Sequence, residues 1–194
     1  TTGEPRGVML THRAFTFELD SLESFLPVSP DDSSLCFLPL SHSLERAWTF
    51  FVLTHGCLNT YVPDARTVAE MMVLAQPTML VSVPRLYEKV FTAVHDKVAG
   101  SKPKAALFEW AIGVGTRAQH HYRAGRQPGR TLRAQLAVAD KLIFRSVRAA
   151  MGGQKSVMAC GGAPLRQEIE EFFSAAGMLL LQGYGLTEAA PLVT

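Results

Sequence analysis

Residues 157–188 decide the fold, and they read VMACGGAPLRQEIEEFFSAAGMLLLQGYGLTE. The apolar run Val157–Cys160 is typical of a buried strand, and a helical pattern over residues 165–175 follows it. A second apolar run, residues 178–181, comes next. This order predicts two parallel strands that are joined by a crossover helix.

The same alternation extends toward the start of the chain. Thr11 is a candidate helix cap, and a helical pattern follows it until Pro27. We then expect a turn at residues 31–34, strands at 35–38, 58–62 and 79–83, and helices at 44–54, 68–75 and 86–98. Strands that alternate with helices predict an α/β fold, with a mostly parallel sheet and helices on both of its faces.

Two longer helical segments, residues 105–122 and 132–150, separate the third strand from residues 157–188. In the second segment an apolar stripe recurs at helical spacing, formed by Leu132, Leu136, Ala139, Ile143 and Val147. The aromatic residues Phe108, Trp110 and Tyr122 of this region are interpreted as core residues.

Composition excludes several classes of protein. With 194 residues, 47% of them hydrophobic and 19% charged, the chain is neither disordered nor collagen-like. Cys36, Cys57 and Cys160 lack metal-ligand or CxxC spacing, which favours a reducing compartment. No apolar run has the length of a transmembrane helix or the form of a signal peptide, so we expect a cytoplasmic protein.

Charge is divided unevenly along the chain. Residues 102–155 carry eleven Lys and Arg against Glu109 and Asp140, a net charge of +9. The rest carries eight Lys and Arg against fifteen Asp and Glu. A solvated helical face explains this block without any ligand. An anionic membrane surface at the inner face of a membrane is the alternative, while the scarcity of interleaved aromatics argues against nucleic acid.

Three glycine-containing loops carry the candidate chemistry, because ligands of such sheets bind where strands end. Residues 1–7, TTGEPRG, combine glycines, hydroxyls and a cation that suit phosphate. Residues 160–164, CGGAP, leave room for a flat group, and Pro164 suits the first turn of the next helix. Residues 182–188, QGYGLTE, offer an aromatic plate and a carboxylate that suits Mg²⁺. Each loop alone is also compatible with a plain turn or hairpin.

Together the motifs resemble the adenylate-forming acyl-CoA synthetase superfamily. Residues 1–8 resemble the end of its TSGTTGxPKG phosphate loop, and residues 183–188 its GYGxTE motif. GGAPL at 161–165 resembles its adenine strip, and PLSHS at 39–43 its intermediate motif. LPLSHSLER at 38–46 and VPRLYEKV at 83–90 resemble the long-chain branch.

The resemblance implies a two-step reaction that uses ATP, Mg²⁺ and coenzyme A. A fatty carboxylate attacks the α-phosphorus of ATP and gives acyl-adenylate and pyrophosphate, after which the thiol of coenzyme A displaces AMP. A fatty acyl-AMP ligase that delivers to a carrier protein is an alternative with the same fold, and a nucleotide-binding module without catalysis is another. The chain is interpreted as a partial AMP-binding domain, residues 1–194, without the upstream strands and the mobile C-terminal domain, and we expect it to be inactive alone.

The resemblance also implies roles for single residues. Glu188 holds Mg²⁺, and His42 lies near the substrate carboxylate; both are candidate catalytic residues. Tyr184 and Gly185 contact adenine on one side. The remaining roles are phosphate binding by Thr1, Thr2, Gly3, Arg6, Gly7 and Thr187, and adenine binding by Gly161, Gly162 and Ala163. Arg6 stands where the family has lysine, so a planar fork replaces a point charge.

Overall fold

The computed structural model of the protein describes residues 7–193. Within that range five parallel strands form one sheet in the order β2-β1-β3-β4-β5. The strands are β1 (Ser33–Cys36), β2 (Leu58–Tyr61), β3 (Met79–Ser82), β4 (Val157–Cys160) and β5 (Leu180–Gln182). The predicted parallel sheet is confirmed.

Helices connect the strands. The Thr11 hydroxyl caps the first helix by accepting the Ala14 N–H at 3.2 Å, as predicted. The helices are α1 (His12–Phe25), α2 (Ser43–Thr54), α3 (Val68–Ala75), α4 (Pro84–Ala99), α5 (Lys102–Arg123), α6 (Arg130–Ala139), α7 (Arg145–Ala150) and α8 (Gln167–Ala175). None of these helices combines the length and the apolar character that spanning a membrane requires.

The two faces of the sheet pack against different helices. Met79 and Val81 of β3 belong to an apolar cluster with Trp48 and Phe51 of α2. Leu80, between them, points to the opposite face and belongs to the larger cluster built by α3 to α8. This alternation follows from the period of two of a strand. It confirms that helices cover both faces.

The sheet register aligns the strand ends that matter for a site. Ser82 pairs with Cys160, and Cys160 pairs with Gln182, so β3, β4 and β5 all end at the same level. The loops that follow these strands therefore start side by side at one edge of the sheet.

Two expectations about polar and aromatic residues were wrong. Ser33 and Ser34 lie in β1 instead of a turn, because the strand gives both hydroxyls partners: Ser34 Oγ accepts the Trp48 Nε1–H at 2.8 Å. Of the three aromatics expected in the core, Phe108 is buried, but Trp110 and Tyr122 are 37% and 41% exposed. Both lie on the outer side of the long helix α5.

The helix predicted at 132–150 is interrupted. A π turn, Asp140–Phe144, joins α6 to α7. Ala139, Phe144 and Val147 are all buried, and the wider turn keeps them on the side that faces the core. A π turn inserts one extra residue into a helix, so the predicted apolar stripe reaches the core on both sides of it.

We predict that Gly115 is required for the packing of α5 on α8. A Cβ at Gly115 would overlap Ala175 O and lie 2.9 Å from its carbonyl carbon. We expect Gly115→Ala to lower the free energy of unfolding by about 1–3 kcal/mol in urea titrations, because the two backbones must separate.

Gly113, in the same helix, provides the matched control. A Cβ there would meet only Arg117 Nη1, at 3.6 Å. Gly113→Ala is expected to stabilise the helix by up to about 1 kcal/mol. Equal effects of the two substitutions would contradict the assigned packing.

Candidate functional site

Four loops meet at the edge where the parallel strands end. They follow β1 (residues 37–42), β3 (Val83), β4 (residues 161–166) and β5 (residues 183–193). In an open α/β sheet this edge is the usual position of a ligand. The structure thus brings together loops that are more than 100 residues apart in the chain.

Gly161 lies at the centre of this meeting point. Its N–H donates to Ser82 O at 3.0 Å. A Cβ on Gly161 would lie 3.3 Å from Leu44 Cδ1 and 3.6 Å from Gly183 O. The absence of a side chain lets the start of α2 and the two glycine loops approach one another.

Position 162 requires glycine for a different reason. Its φ is +82°, a backbone conformation that other residues rarely adopt. Gly162, Ala163 and Pro164 are exposed, so the segment after β4 offers an open strip of backbone. Pro164 does not begin the next helix as predicted, because α8 starts at Gln167.

The segment after β5 folds back on itself. Gly185 forms an antiparallel bridge with Leu192, and Val193 N–H donates to Tyr184 O at 2.8 Å. A Cβ on Gly185 would overlap Pro191 O, so this close return requires glycine. The Tyr184 side chain is 64% exposed. The sequence suggested two interpretations of these residues, a hairpin and an exposed aromatic ring. The structure contains both features.

Thr187 and Glu188 lie in a short 3₁₀ turn, Thr187–Ala189. The Ser43 hydroxyl donates to Thr187 Oγ1 at 3.3 Å and joins the hairpin to the start of α2. Both Thr187 and Glu188 are exposed. Both side chains are therefore accessible from solvent at the edge of the sheet.

His42 precedes Ser43 and caps α2. Its Nδ1 accepts the Leu44 N–H at 3.3 Å, and its side chain is exposed. The predicted catalytic role thus falls on a residue that also has a structural role. Its position next to Ser43 places it beside the Thr187 contact.

The structure gathers most of the predicted site residues. The residues found at the same edge are His42, Gly161, Gly162, Ala163, Tyr184, Gly185, Thr187 and Glu188. Gly7 is described and exposed, and it precedes α1. The predicted phosphate-binding residues Thr1, Thr2, Gly3 and Arg6 lie outside the described residues. Their roles stay predictions.

Magnesium fits this edge only as an ion shared with a ligand. Residues 7–193 contain no group of three or more His, Cys, Asp or Glu that could hold a metal. Mg²⁺ is often bound by one or two carboxylates together with substrate phosphates. Glu188 can supply one such carboxylate at the rim.

The three cysteines do not provide a nucleophile. Cys36, Cys57 and Cys160 are free and buried. Burial, together with the neighbouring Glu45 carboxyl, raises the pKa of the Cys36 thiol to about 12, and burial raises that of Cys160 to about 12 as well. Neither forms a thiolate near neutral pH.

Sequence reasoning missed Glu45, which supports the loop that carries His42. Glu45 is fully buried, its Oε2 accepts the Leu38 N–H at 3.1 Å, and the Cys36 thiol lies beside the same carboxyl. Burial raises the pKa of this carboxyl. Arg46 Nε donates to Leu40 O at 3.1 Å and holds the same loop further along. The only sequence signal was their place in LPLSHSLER.

Glu18 is a second buried carboxyl, in α1. It lies against the Leu192 N–H, and within residues 7–193 its Oε2 has no hydrogen-bond partner. Burial raises the pKa of Glu18 to about 7. The side chain therefore connects the helix after the first loop to the returning strand of the Tyr184 hairpin. A carboxylate on an otherwise apolar helical face was the signal for it.

We predict that removing the Glu45 carboxyl loosens the loop at residues 37–42. Glu45→Ala leaves the Leu38 N–H without a partner and is expected to cost about 1–3 kcal/mol of unfolding free energy. Glu45→Gln keeps an acceptor oxygen and is neutral, so it should cost clearly less. Urea unfolding and limited proteolysis at this loop measure both. Equal losses for the two variants would argue against the hydrogen bond.

We predict that Glu18 makes stability depend on pH. The folded state holds the proton up to about pH 7, whereas the unfolded chain loses it near 4.5. Stability therefore falls by on the order of 3 kcal/mol as pH rises from about 4.5 to 7, and it is constant above that. Glu18→Gln should remove this fall when urea unfolding is compared at several pH values.

Asp20→Asn is the control for that measurement, because Asp20 is an exposed carboxylate of the same helix. Its substitution should leave the pH profile of wild type unchanged. A Glu18→Gln profile parallel to that of wild type would refute the assignment.

Similarity to named proteins covers the chain from end to end. The family described as AMP-binding enzyme matches residues 1–194. Long-chain-fatty-acid–CoA ligase FadD15 of Mycobacterium bovis is 34% identical over 193 residues, which cover 98% of this chain and 32% of the relative. Human long-chain-fatty-acid–CoA ligase 1 is 31% identical, with 97% of this chain and 26% of the relative covered.

A relative with another acceptor in its name is also similar. The long-chain-fatty-acid–[acyl-carrier-protein] ligase AEE15 of Arabidopsis thaliana is 29% identical, with 100% of this chain and 30% of the relative covered. The chain spans about a third of the length of these curated relatives.

Solved structures share the fold. The A domain of carboxylic acid reductase from Segniliparus rugosus, in complex with AMP and a carboxylic acid, superimposes with a TM-score of 0.66 at 24% identity. The match covers 100% of this chain and 27% of that one. Since this family match extends over residues 1–194, the chain belongs to the AMP-binding, adenylate-forming enzymes.

Proposed function

We propose that this chain forms the nucleotide-binding part of an ATP-dependent long-chain fatty acid–CoA ligase. In the first step a carboxylate oxygen attacks the α-phosphorus of ATP, and pyrophosphate leaves. In the second step the sulfur of coenzyme A attacks the acyl carbon, and AMP leaves. The observation that carries the proposal is the meeting of the Gly161 and Tyr184 loops with the start of α2 at one edge.

The exposed strip and the exposed ring suit adenine. Tyr184 is free to stack on a base, and a base stacked on an aromatic ring gains about 1–3 kcal/mol. On the neighbouring loop, the backbone at Gly162 and Ala163 is exposed. Gly161 and Gly185 have no side chain, which allows the close backbone approaches at this edge. A flat ligand fits between such surfaces.

Polar groups beside this strip suit phosphates. Thr187 has a hydroxyl near the rim, and the Glu188 carboxylate can hold Mg²⁺ when phosphates share the ion. Phosphate transfer chemistry depends mainly on positioning and charge neutralisation. Thr187 would position a phosphate, and the Mg²⁺ held with Glu188 would neutralise its charge. We assign the remaining phosphate contacts to Thr1, Thr2, Gly3, Arg6 and Gly7.

His42 completes the assignment. It lies at the start of α2 next to Ser43, whose hydroxyl contacts Thr187. A carboxylate held there would lie between the His42 ring and the phosphate-binding groups. The Glu45 carboxyl acts through this loop, so it is a positioning residue.

The choice of a fatty acid and coenzyme A is supported by the names of several relatives. Transfer to an acyl carrier protein is the second candidate, because AEE15 carries that activity in its name. Both candidates share the first step and differ only in the thiol that receives the acyl group.

The full-length protein with palmitate, ATP, Mg²⁺ and either coenzyme A or a holo-acyl carrier protein tests the proposal. AMP and pyrophosphate should form, and palmitoyl-CoA should accumulate. Formation of ADP would exclude the reaction class. Transfer to the carrier protein alone would favour the second candidate.

We predict that the Tyr184 ring contributes to ATP binding. Tyr184→Ala should raise the KM for ATP by about tenfold or more, since one stacked base is worth about 1–3 kcal/mol. Steady-state kinetics of the full-length enzyme measure this effect. Tyr122→Ala is the matched control, because Tyr122 is an exposed tyrosine of α5 outside the site. An unchanged KM for Tyr184→Ala would remove the stacking role.

A further inference from the structure

The outer side of α6, the π turn and α7 forms a cationic surface away from the proposed nucleotide site. Backbone angles stay helical from Arg130 to Ala150, so one rod presents two sides. Ala139, Phe144 and Val147 face the core. The exposed side, which we name the basic face, consists of Arg130, Arg133, Val138, Lys141, Leu142 and Arg145.

The cations of the basic face are not neutralised by the described part of the chain. Within residues 7–193 none of Arg130, Arg133, Lys141 and Arg145 makes an ion pair. Asp140, the acidic residue of this rod, is bound at 2.6 Å by Arg148. The basic face therefore has a net positive charge that residues 7–193 do not neutralise with ion pairs.

Some cations of the 102–155 block are paired or buried and do not belong to the basic face. Arg123 lies 3.8 Å from Glu170 of α8, and Arg148 is used by Asp140. Lys155 is buried, and burial lowers its pKa to about 8. The surplus of charge is thus concentrated on the exposed sides of α5 and of the rod and on the loop between them. Lys102, Lys104 and Arg117 of α5 and Arg126 of the loop are exposed.

Exposed apolar side chains lie among these cations. Val138 and Leu142 are 50% and 52% exposed, four residues apart on the basic face. Leu107 and Trp110 are exposed on α5, which packs beside α6. Cations with long stems around aliphatic side chains are typical of surfaces that enter the headgroup region of a bilayer, where the stems extend toward phosphate.

We propose that the basic face docks on an anionic lipid bilayer. Electrostatic attraction brings the four cations to lipid phosphates. Val138 and Leu142 then move out of water into the headgroup region. Nucleic acid is the less suitable partner, because the basic face contains aliphatic side chains where a stacking surface needs aromatic ones. The proposal does not depend on the reaction that the enzyme catalyses.

Vesicle sedimentation of the full-length protein tests it. The protein should bind vesicles of equimolar phosphatidylcholine and phosphatidylglycerol, should not bind phosphatidylcholine alone, and should dissociate as salt is raised. Each cation near an anionic surface contributes a factor of about five, so the triple variant Arg130→Gln, Lys141→Gln and Arg145→Gln should bind about 100-fold more weakly.

A charge-matched variant is the control. Arg66, Lys89 and Lys97 are exposed cations outside the block, and their replacement by Gln removes the same charge. That variant should keep affinity within about threefold of wild type, because distant charges are screened. Val138→Ser with Leu142→Ser should weaken binding by about tenfold without changing net charge.

Several results would overturn the proposal. They are no binding of wild type to anionic vesicles, equal losses in the two triple variants, or tighter binding to a single-stranded RNA oligonucleotide than to anionic vesicles at the same salt. The ligase assay on each variant without lipid separates this outcome from a failure of the proposed function.

Discussion

Parallel pairing of the strands determines where every candidate functional loop begins. Since β1, β3, β4 and β5 run in one direction, each of the loops that follow them leaves the same edge of the sheet. Gly161 then allows the start of α2 and the loops after β4 and β5 to come within van der Waals distance. A substitution that displaced β4 by one residue would separate the strip after Cys160 from the Tyr184 hairpin.

Two buried carboxyls contact backbone N–H groups of the loops at this edge. Glu45 accepts a backbone N–H from the loop after β1, and Glu18 faces a backbone N–H of the hairpin after β5. Burial raises the pKa of both carboxyls. The carboxyls that shape this site are therefore buried, while the groups assigned to the ligand are exposed.

Much of the fold was predictable from local pattern. The spans of α3 and β4 agree with the sequence prediction, because apolar periodicity and flanking glycine or proline mark their ends. The sharing of one sheet edge by the loops followed from strand–helix alternation. These features rest on short-range chemistry that a single sequence displays.

Tertiary contacts explain what the sequence did not reveal. Ser33 and Ser34 resemble turn residues until Trp48 and Thr78 supply partners for their hydroxyls. Glu45 looks like a surface residue until Leu38 and Cys36 enclose it. Trp110 and Tyr122 have the composition of a core but lie outside it. For Ser33, Ser34 and Glu45, the neighbour that determines the environment of the side chain lies outside the element that carries it.

The π turn between α6 and α7 has a consequence for how this region tolerates changes in length. Ala139 and Val147 are eight residues apart, and the extra residue between them is absorbed locally. Deleting exposed Leu142 would leave a spacing of seven, two ordinary helical turns, and both residues would still point inward. The same deletion in the middle of α5 would rotate everything beyond it by about 100° and carry Gly115 away from Ala175.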